Sequence, residues 1–599
     1  MFLLCAFTSL ISCRSFTIVG NDFQMDGKPF QFISGAFHYF RQHPDYWEDT
    51  IKKMANGGLN VIETYVAWNL HEPVKGQFNW EGMADIERFI KLVQKYNLYL
   101  IFRPGPFICA EWDFGGLPYW LLREENIVFR TSDPVYMKHV TDYMTVLLNK
   151  VAPYMYHKGG PIIMVQVENE YGWYNKCDHT YMGMLCDLTE SILGKETLMF
   201  TNDGAYKSNL DCGNIMPRAY ASVDFGSGDP MWRFELEREF NGGTGPYFVA
   251  EHYTGWLDHW QEKHHKVDIK TITTSVDTML ANGGNVNLYM YYGGTNFYYF
   301  NGANGDKNSF QADPTTYDYD APLSEAGDMT AKWEALRDVI KKYFPNIPTY
   351  EVQNSTKRSY GNVKFTEGVS LFDSLSIVGQ RKETADKPKT FEALDVDYGF
   401  VLYQTKVTKG GLMKIPHVHD RANIFVNKKY VGTIEHAKEG SKSFTIDDNV
   451  DLDILVENQG RFNYGYDFVE FKGITDGVLI DDKEVTGWTM TGFNLTNYND
   501  IKYTQGNLPT KVPSFYRGTF NVDEVADTFL NPTGFSKGIA IVNGNIIGRY
   551  WANVSPQRTL YCPKFFLHPG ENELVIFEVE SQADSVGTMS FDDVHQIDV

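Results

Sequence analysis

From about residue 16 to 345, short apolar runs alternate with amphipathic stretches at helical spacing, and no other property of this 599-residue chain narrows its fold as far. Apolar runs at 59–69, 98–104, 162–171, 198–203, 247–253 and 285–292 read as strands. Stretches at 83–96, 134–157, 181–193, 269–282 and 331–343 read as helices. Strand and helix in alternation build parallel sheets, because a parallel neighbour needs a long crossover that a helix supplies. Over some 330 residues the pattern fits a closed (β/α)8 barrel with insertions. A doubly wound open sheet is the alternative, but no GxGxxG opens a helix here to support it.

Beyond about residue 350 the helical period fades. Short alternating runs at 399–404, 422–426, 450–456, 538–542 and 573–577, separated by Gly, Asn and Pro turns, read as all-β sandwich. Two of them share a plan. Arg421-Ala-Asn-Ile-Phe-Val-Asn427 leads to Val431-Gly-Thr433, and Gly538-Ile-Ala-Ile-Val-Asn543 leads to Ile547-Gly-Arg549. This predicts two related sandwiches. The expected boundaries are a signal peptide at 1–14, a barrel at 15–345, a linker at 346–385 and sandwiches at 386–495 and 496–599.

A net charge of −22 argues against nucleic acid or an anionic membrane as partner, and fits an uncharged substrate. The apolar stretch 1–12 is too short to span a bilayer and reads as a secretory signal, although it lacks a basic start. That reading leads to the lysosome, a vacuole or the extracellular space. Leu10-Ile-Ser-Cys13 also resembles a lipoprotein cleavage box, a lesser alternative. No later stretch is long and apolar enough to be a membrane span. Seven cysteines without CxxC spacing make neither a disulfide scaffold nor a zinc site. Glycosylation triplets start at Asn354, Asn494 and Asn553.

Glu170 and Glu251 end two of the apolar runs. An ionised carboxylate leaving water at the end of a buried strand costs several kcal/mol unless paired, so two of them suggest a site. Glycoside hydrolysis needs such a pair, one acid to protonate the leaving oxygen and one carboxylate to attack or to activate water. Other polar and aromatic residues fall at strand ends in the same register, where barrel active sites are built: Trp68-Asn69, Glu111-Trp112, Asn169 and Gly293-Gly-Thr-Asn296. In an extended strand Glu168 and Glu170 point the same way and Asn169 the other. Trp256 could stack on a sugar face, Glu111 could accept sugar hydroxyls, and Tyr65, Tyr289 and Tyr319 could donate to them. Each of these alone fits packing equally well.

Tyr65-Val-Ala-Trp-Asn-Leu-His-Glu-Pro73, Arg103-Pro-Gly-Pro106, Cys109-Ala-Glu-Trp112, Gln166-Val-Glu-Asn-Glu-Tyr-Gly172, Glu251-His-Tyr-Thr-Gly-Trp256 and Gly293-Gly-Thr-Asn-Phe297 together resemble the family 35 glycoside hydrolases, nearest to the lysosomal acid β-galactosidase branch. The likeness runs in order to the C-terminus, through Asp318-Tyr-Asp-Ala-Pro-Leu-Ser-Glu325 and Gly548-Arg-Tyr-Trp551. It implies a catalytic barrel followed by two β-domains of galactose-binding type. It assigns Glu170 as acid/base and Glu251 as nucleophile of a retaining exo-β-galactosidase, needing no metal or organic cofactor. It sets Tyr65, Ala110, Glu111, Asn169, Trp256, Tyr289 and Tyr319 around a terminal galactose. It also implies a Cys177–Cys212 disulfide with Cys109 buried and free, and leaves room for a homodimer. His252, Ala67 and the aromatic run Tyr298-Tyr-Phe300 depart from the pattern and bear on aglycone preference. Competing readings are an exo-hydrolase for another β-linked sugar, such as glucosamine, and an inactive carbohydrate-binding or chaperone-like protein.

Overall fold

Eight parallel strands close into a barrel in a computed structural model that describes residues 14–306, 309–436, 442–506, 508–580 and 586–598. The strands are β1 (Ile33–Phe37), β2 (Val61–Tyr65), β3 (Tyr99–Arg103), β4 (Ile162–Gln166), β5 (Leu198–Gly204), β6 (Tyr220–Phe225), β7 (Phe248–Tyr253) and β8 (Asn285–Tyr292). Each is followed by a helix: α1 (Trp47–Asn56), α2 (Ile86–Lys95), α3 (Pro134–Val151), α4 (His179–Leu193), α5 (Lys207–Gly213), α6 (Met231–Phe240), α7 (Ile269–Ala281) and α8 (Ala331–Ile340). Asp133, Asp178, Asp268 and Thr330 each accept from a first-turn backbone N–H of α3, α4, α7 and α8, which sets where those helices start. Nearly every strand residue is buried, so the barrel interior is a packed core.

Two strands escaped the hydrophobic reading, β1 and β6. Their inward positions carry small polar residues that hydrogen-bond inside the barrel. Ser34 Oγ donates to Asn287 Oδ1 at 2.7 Å, and Ser222 Oγ to Thr201 O at 2.6 Å. The run at 162–171 is a strand only to Gln166. Glu168 and Glu170 then adopt left-handed backbone, with φ of 63° and 44°, so the alternation assumed for them does not apply.

Beyond the barrel the core lies mainly on two four-stranded antiparallel sheets and two six-stranded ones. Of the latter, one runs Arg381–Ala385, Trp488–Phe493, Phe400–Val407, Val450–Glu457, Arg421–Val426 and Lys429–Glu435; the other runs Thr504–Gln505, Lys364–Ser370, Ser514–Val522, Gly570–Glu578, Lys537–Val542 and Asn545–Trp551. The repeated sequence plan appears here as two edge hairpins. In each, an Asn at the turn (Asn427, Asn543) has positive φ and donates its N–H to the adjoining strand. The stretch 346–385 is not a linker. Lys364–Ser370 pairs with Ser514–Val522 in the last sheet, and Arg381–Ala385 pairs with Trp488–Phe493 in the other. Its exposed polar face hid the alternation, since only one side of each strand meets a core.

The aromatic run after β8 forms the seam between barrel and β-domains rather than a pocket wall. Tyr298, Tyr299 and Phe300 pack on Tyr398, and the Arg549 guanidinium lies 5.0 Å from the Tyr299 ring. Buried Arg461 crosses the seam, pairing with Glu392 at 2.7 Å and Asp113 at 3.5 Å. Asn494 is buried and donates to Asp397, so of the three glycosylation triplets only those at Asn354 and Asn553 begin on exposed residues. The expected signal, Cys13 included, lies outside the described residues except for Arg14. No described helix is long and apolar enough to cross a membrane.

Candidate active site

Glu170 follows β4 and Glu251 lies on β7, and both carboxyls line one cavity of about 510 Å³. Tyr65, Ala110, Glu111, Asn169, Trp256, Tyr289 and Tyr319 line the same cavity, so all nine predicted site residues converge on it. They come from chain segments as much as 254 residues apart, gathered at the C-terminal ends of the barrel strands.

The two carboxyls sit in different surroundings. Glu251 Oε1 accepts from Arg103 Nη2 at 2.6 Å and from Tyr65 OH at 2.7 Å. Arg103 also donates to Asn169 Oδ1 at 2.8 Å, lies 3.9 Å from the Tyr65 ring centroid and faces Glu63 at 3.5 Å. Burial and the nearby Glu251 push Glu63 up to about 7, against the pull of Arg103. Glu170 is held instead by its backbone, donating to Asn202 O at 3.0 Å. Its carboxyl has no protein hydrogen bond among the described residues. Burial, then Asp224, Glu251, Asp203 and Glu111, hold it well above the usual carboxylate range. Asp224, beside Glu251 across the β6–β7 pairing, is itself pushed up to about 8, mainly by burial.

Left-handed backbone recurs at this site. Cys109, Ala110 and Glu111 (φ 58°, 61° and 48°), Glu170 and Tyr319 (63°) all adopt it without being glycine. Such conformations persist only where the surroundings over-determine them, and they cluster where side chains must be aimed. Arg41 holds the first of these loops, donating to Ala110 O, while Tyr317 OH donates to Glu111. Cys109 is buried and free. Glu168 does not reach the cavity, because Arg130 binds it at 2.9 and 2.7 Å and Tyr181 OH at 2.9 Å. It is a structural ion pair.

The rim is aromatic. Trp256 is 41% exposed, and Trp173, Tyr206, Trp232 and Tyr464 join it. Tyr464 comes from the first β-domain, its ring tilted against that of Trp173 at 6.2 Å between centroids. A disulfide joins Cys177 to Cys212, tying the segment after Trp173 to α5, which follows Tyr206. His252, next to Glu251, packs away from the cavity with Nδ1 3.1 Å from Phe225 O, and burial lowers it to about 4. Sequence reasoning left Arg103, Asp224 and Tyr464 without roles. Arg103 carries the same signal as the glutamates, a charge ending an apolar run. Asp224 sits on a strand that the periodicity missed, and Tyr464 had no local signal.

Comparison with known proteins agrees with this architecture. Residues 22–343 match the family described as "Glycosyl hydrolases family 35", 388–495 match "Beta-galactosidase, first all-beta domain", and 513–572 match "Beta-galactosidase, galactose-binding domain". The chain is 40% identical to the beta-galactosidase of Mus musculus, covering 96% of this chain and 93% of that one. It is 40% identical to beta-galactosidase 17 of Arabidopsis thaliana, over 95% and 88% respectively. The beta-galactosidase of Homo sapiens is also 40% identical, over 94% and 86%. With its barrel, its paired cavity carboxyls and likeness along nearly its whole length, the chain belongs to glycoside hydrolase family 35.

Proposed function

We propose that this enzyme removes terminal non-reducing β-galactose from oligosaccharides or glycoconjugates by double displacement, with Glu251 as nucleophile and Glu170 as acid/base. The observation that carries the division of labour is the unequal environment of the two carboxyls. Two titratable groups pushed apart by their surroundings mark the acid and the base of a site. Arg103 and Tyr65 both donate to Glu251 Oε1 and so hold this carboxyl in place as the group that attacks the anomeric carbon. Glu170, buried among acids and free of donors, keeps its proton and can give it to the leaving oxygen. It then takes a proton from the water that frees galactose. The cavity sits over the C-terminal ends of the barrel strands, as a pocket for a terminal sugar residue would. Tyr65, Ala110, Glu111, Asn169, Tyr289 and Tyr319 would surround galactose, with Trp256 stacking at the mouth. The disulfide supports an oxidising destination in the secretory pathway.

The test separates the two roles. Glu251→Gln abolishes turnover while the protein still folds. Glu170→Gln still forms the galactosyl-enzyme from 2,4-dinitrophenyl β-galactoside, which needs no acid, and then stalls, losing about 10²–10⁴-fold in turnover. Azide rescues it and yields β-galactosyl azide. Equal behaviour of the two variants, or first release of α-galactose by the wild type, overturns the assignment.

A further inference from the structure

Among the residues that line the cavity, one cation is left over. Arg233 stands in the first turn of α6, where the positive end of the helix disfavours a cation, and Asp229, just before the helix, offsets part of that charge by accepting from Met231 N–H at 3.0 Å. Its guanidinium lies against two ring faces, 4.6 Å from the Phe225 centroid and 4.8 Å from that of Trp232. Nη1 donates to the backbone oxygen of Asp229 at 2.8 Å. Among the described residues it has no ion pair, and Nε and Nη2 have no protein acceptor. In a chain of net charge −22, where most arginines are paired with acids, a stacked and pre-aimed guanidinium facing a cavity is an open receptor. Phe225 follows Asp224, so the receptor sits beyond the carboxyls on the β6 side of the mouth. Trp232 (49% exposed), with one face on the guanidinium, and Tyr206 (60% exposed) leave ring surface open beside it.

We propose that Arg233 receives a carboxylate on the aglycone, with Trp232 and Tyr206 covering the aglycone's apolar face, so that acid-bearing β-galactosides are preferred. The inference rests on the galactosidase reading above. A planar guanidinium fork with one edge free matches a carboxylate, and ring stacking removes the rotamer freedom that such binding would otherwise cost. The acids deeper in the cavity do not repel such a ligand strongly below neutrality. Asp224 is pushed up to about 8, Glu170 and Glu111 are raised as well, and Glu251 is paired with Arg103 at 2.6 Å.

The experiment compares kcat/KM for 5-carboxy-2-nitrophenyl β-galactoside and 2-nitrophenyl β-galactoside at about pH 6, where the added carboxyl is ionised. The ratio of the two constants falls about tenfold in Arg233→Gln, the size of one half-exposed charged hydrogen bond, and recovers in part in Arg233→Lys. In the wild type the same ratio falls as salt rises from about 0.05 to 0.5 M, so the idea stands or falls even if the variants fold poorly. A ratio insensitive both to Arg233→Gln and to salt overturns the proposal while leaving the galactosidase reading intact. Failure to cleave either compound overturns both.

Discussion

Replacing Tyr65 with Phe separates the two chemical steps. The Tyr65 hydroxyl is buried, 2.7 Å from Glu251 Oε1 and 2.7 Å from Asn169 Oδ1. It has one proton to give, and the ionised oxygen is the stronger acceptor. Removing it deletes one charge-assisted hydrogen bond, worth about 1.5–3 kcal/mol, and leaves Arg103 holding the same oxygen at 2.6 Å. In the galactosyl-enzyme that oxygen is part of an ester and accepts weakly. The bond therefore strengthens as the carboxylate departs, and the loss falls on release of galactose. We expect kcat on 2,4-dinitrophenyl β-galactoside to fall roughly 10- to 100-fold, while kcat/KM, which reports the first step, falls much less. The galactosyl-enzyme then accumulates, seen as a stoichiometric burst of dinitrophenolate in stopped flow and as an added hexose on Glu251 by mass spectrometry. Equal falls in kcat and kcat/KM with no burst would refute the reasoning, because the hydroxyl would then be serving the first step or the sugar alone.

The stability of the fold should peak on the acid side of neutrality. Glu63, Asp224 and Glu325 are held up to about 7, 8 and 8, chiefly by burial, so the fold keeps protons that an unfolded chain releases near pH 4. Their contribution is complete below about pH 4 and is lost as pH rises through 7 to 8. Buried His71 and His252, lowered to about 4, act in the opposite sense and contribute fully only above about 6.5. Thermal unfolding midpoints near pH 6 should therefore exceed those near pH 8.5, and a midpoint that rises across that interval refutes the balance. The Cys177–Cys212 bridge closes a loop of sequence separation 35, worth about 4 kcal/mol in the chain-entropy account. The double Ser variant should lose its heat resistance by that order, and peptide mapping without reductant should find the two cysteines linked; free thiols there would remove the premise.

Legibility of the sequence followed solvent exposure. Six of the eight barrel strands announce themselves as apolar runs because both faces are covered, one by helices and one by the barrel interior. β1 and β6 do not, because Ser34 and Ser222 fill the interior with hydrogen-bonded oxygen instead of hydrocarbon. The same lapse hid Asp224, which lies on β6. In the β-domains, Lys364–Ser370 buries only Gly368 fully, with Phe365 and Val369 half-buried, and its partner strand lies 150 residues away. No local pattern carries that pairing. Tyr464 reaches the cavity on a segment that Arg461 and Asn463 tie across the seam to Asp113 and Ala303.

The positions of Glu170 and Glu251 were legible, but the difference between them was not. Both read as a carboxylate ending a buried run, and by pattern alone either could be the acid. The difference arises from which strands flank each residue in the closed sheet. Glu251 on β7 faces across the barrel to Arg103 at the end of β3 and Tyr65 at the end of β2, a cation and a donor supplied by the opposite wall. Glu170, past the end of β4, is turned out of the strand by its left-handed backbone, and its electrostatic neighbours are Asp203 on β5 and Asp224 on β6. Closing the sheet thus sends donors to one carboxyl and acids to the other. An open sheet of the same strands would keep β2 and β3 apart from β7, and the pair would lose the asymmetry on which the proposed chemistry depends.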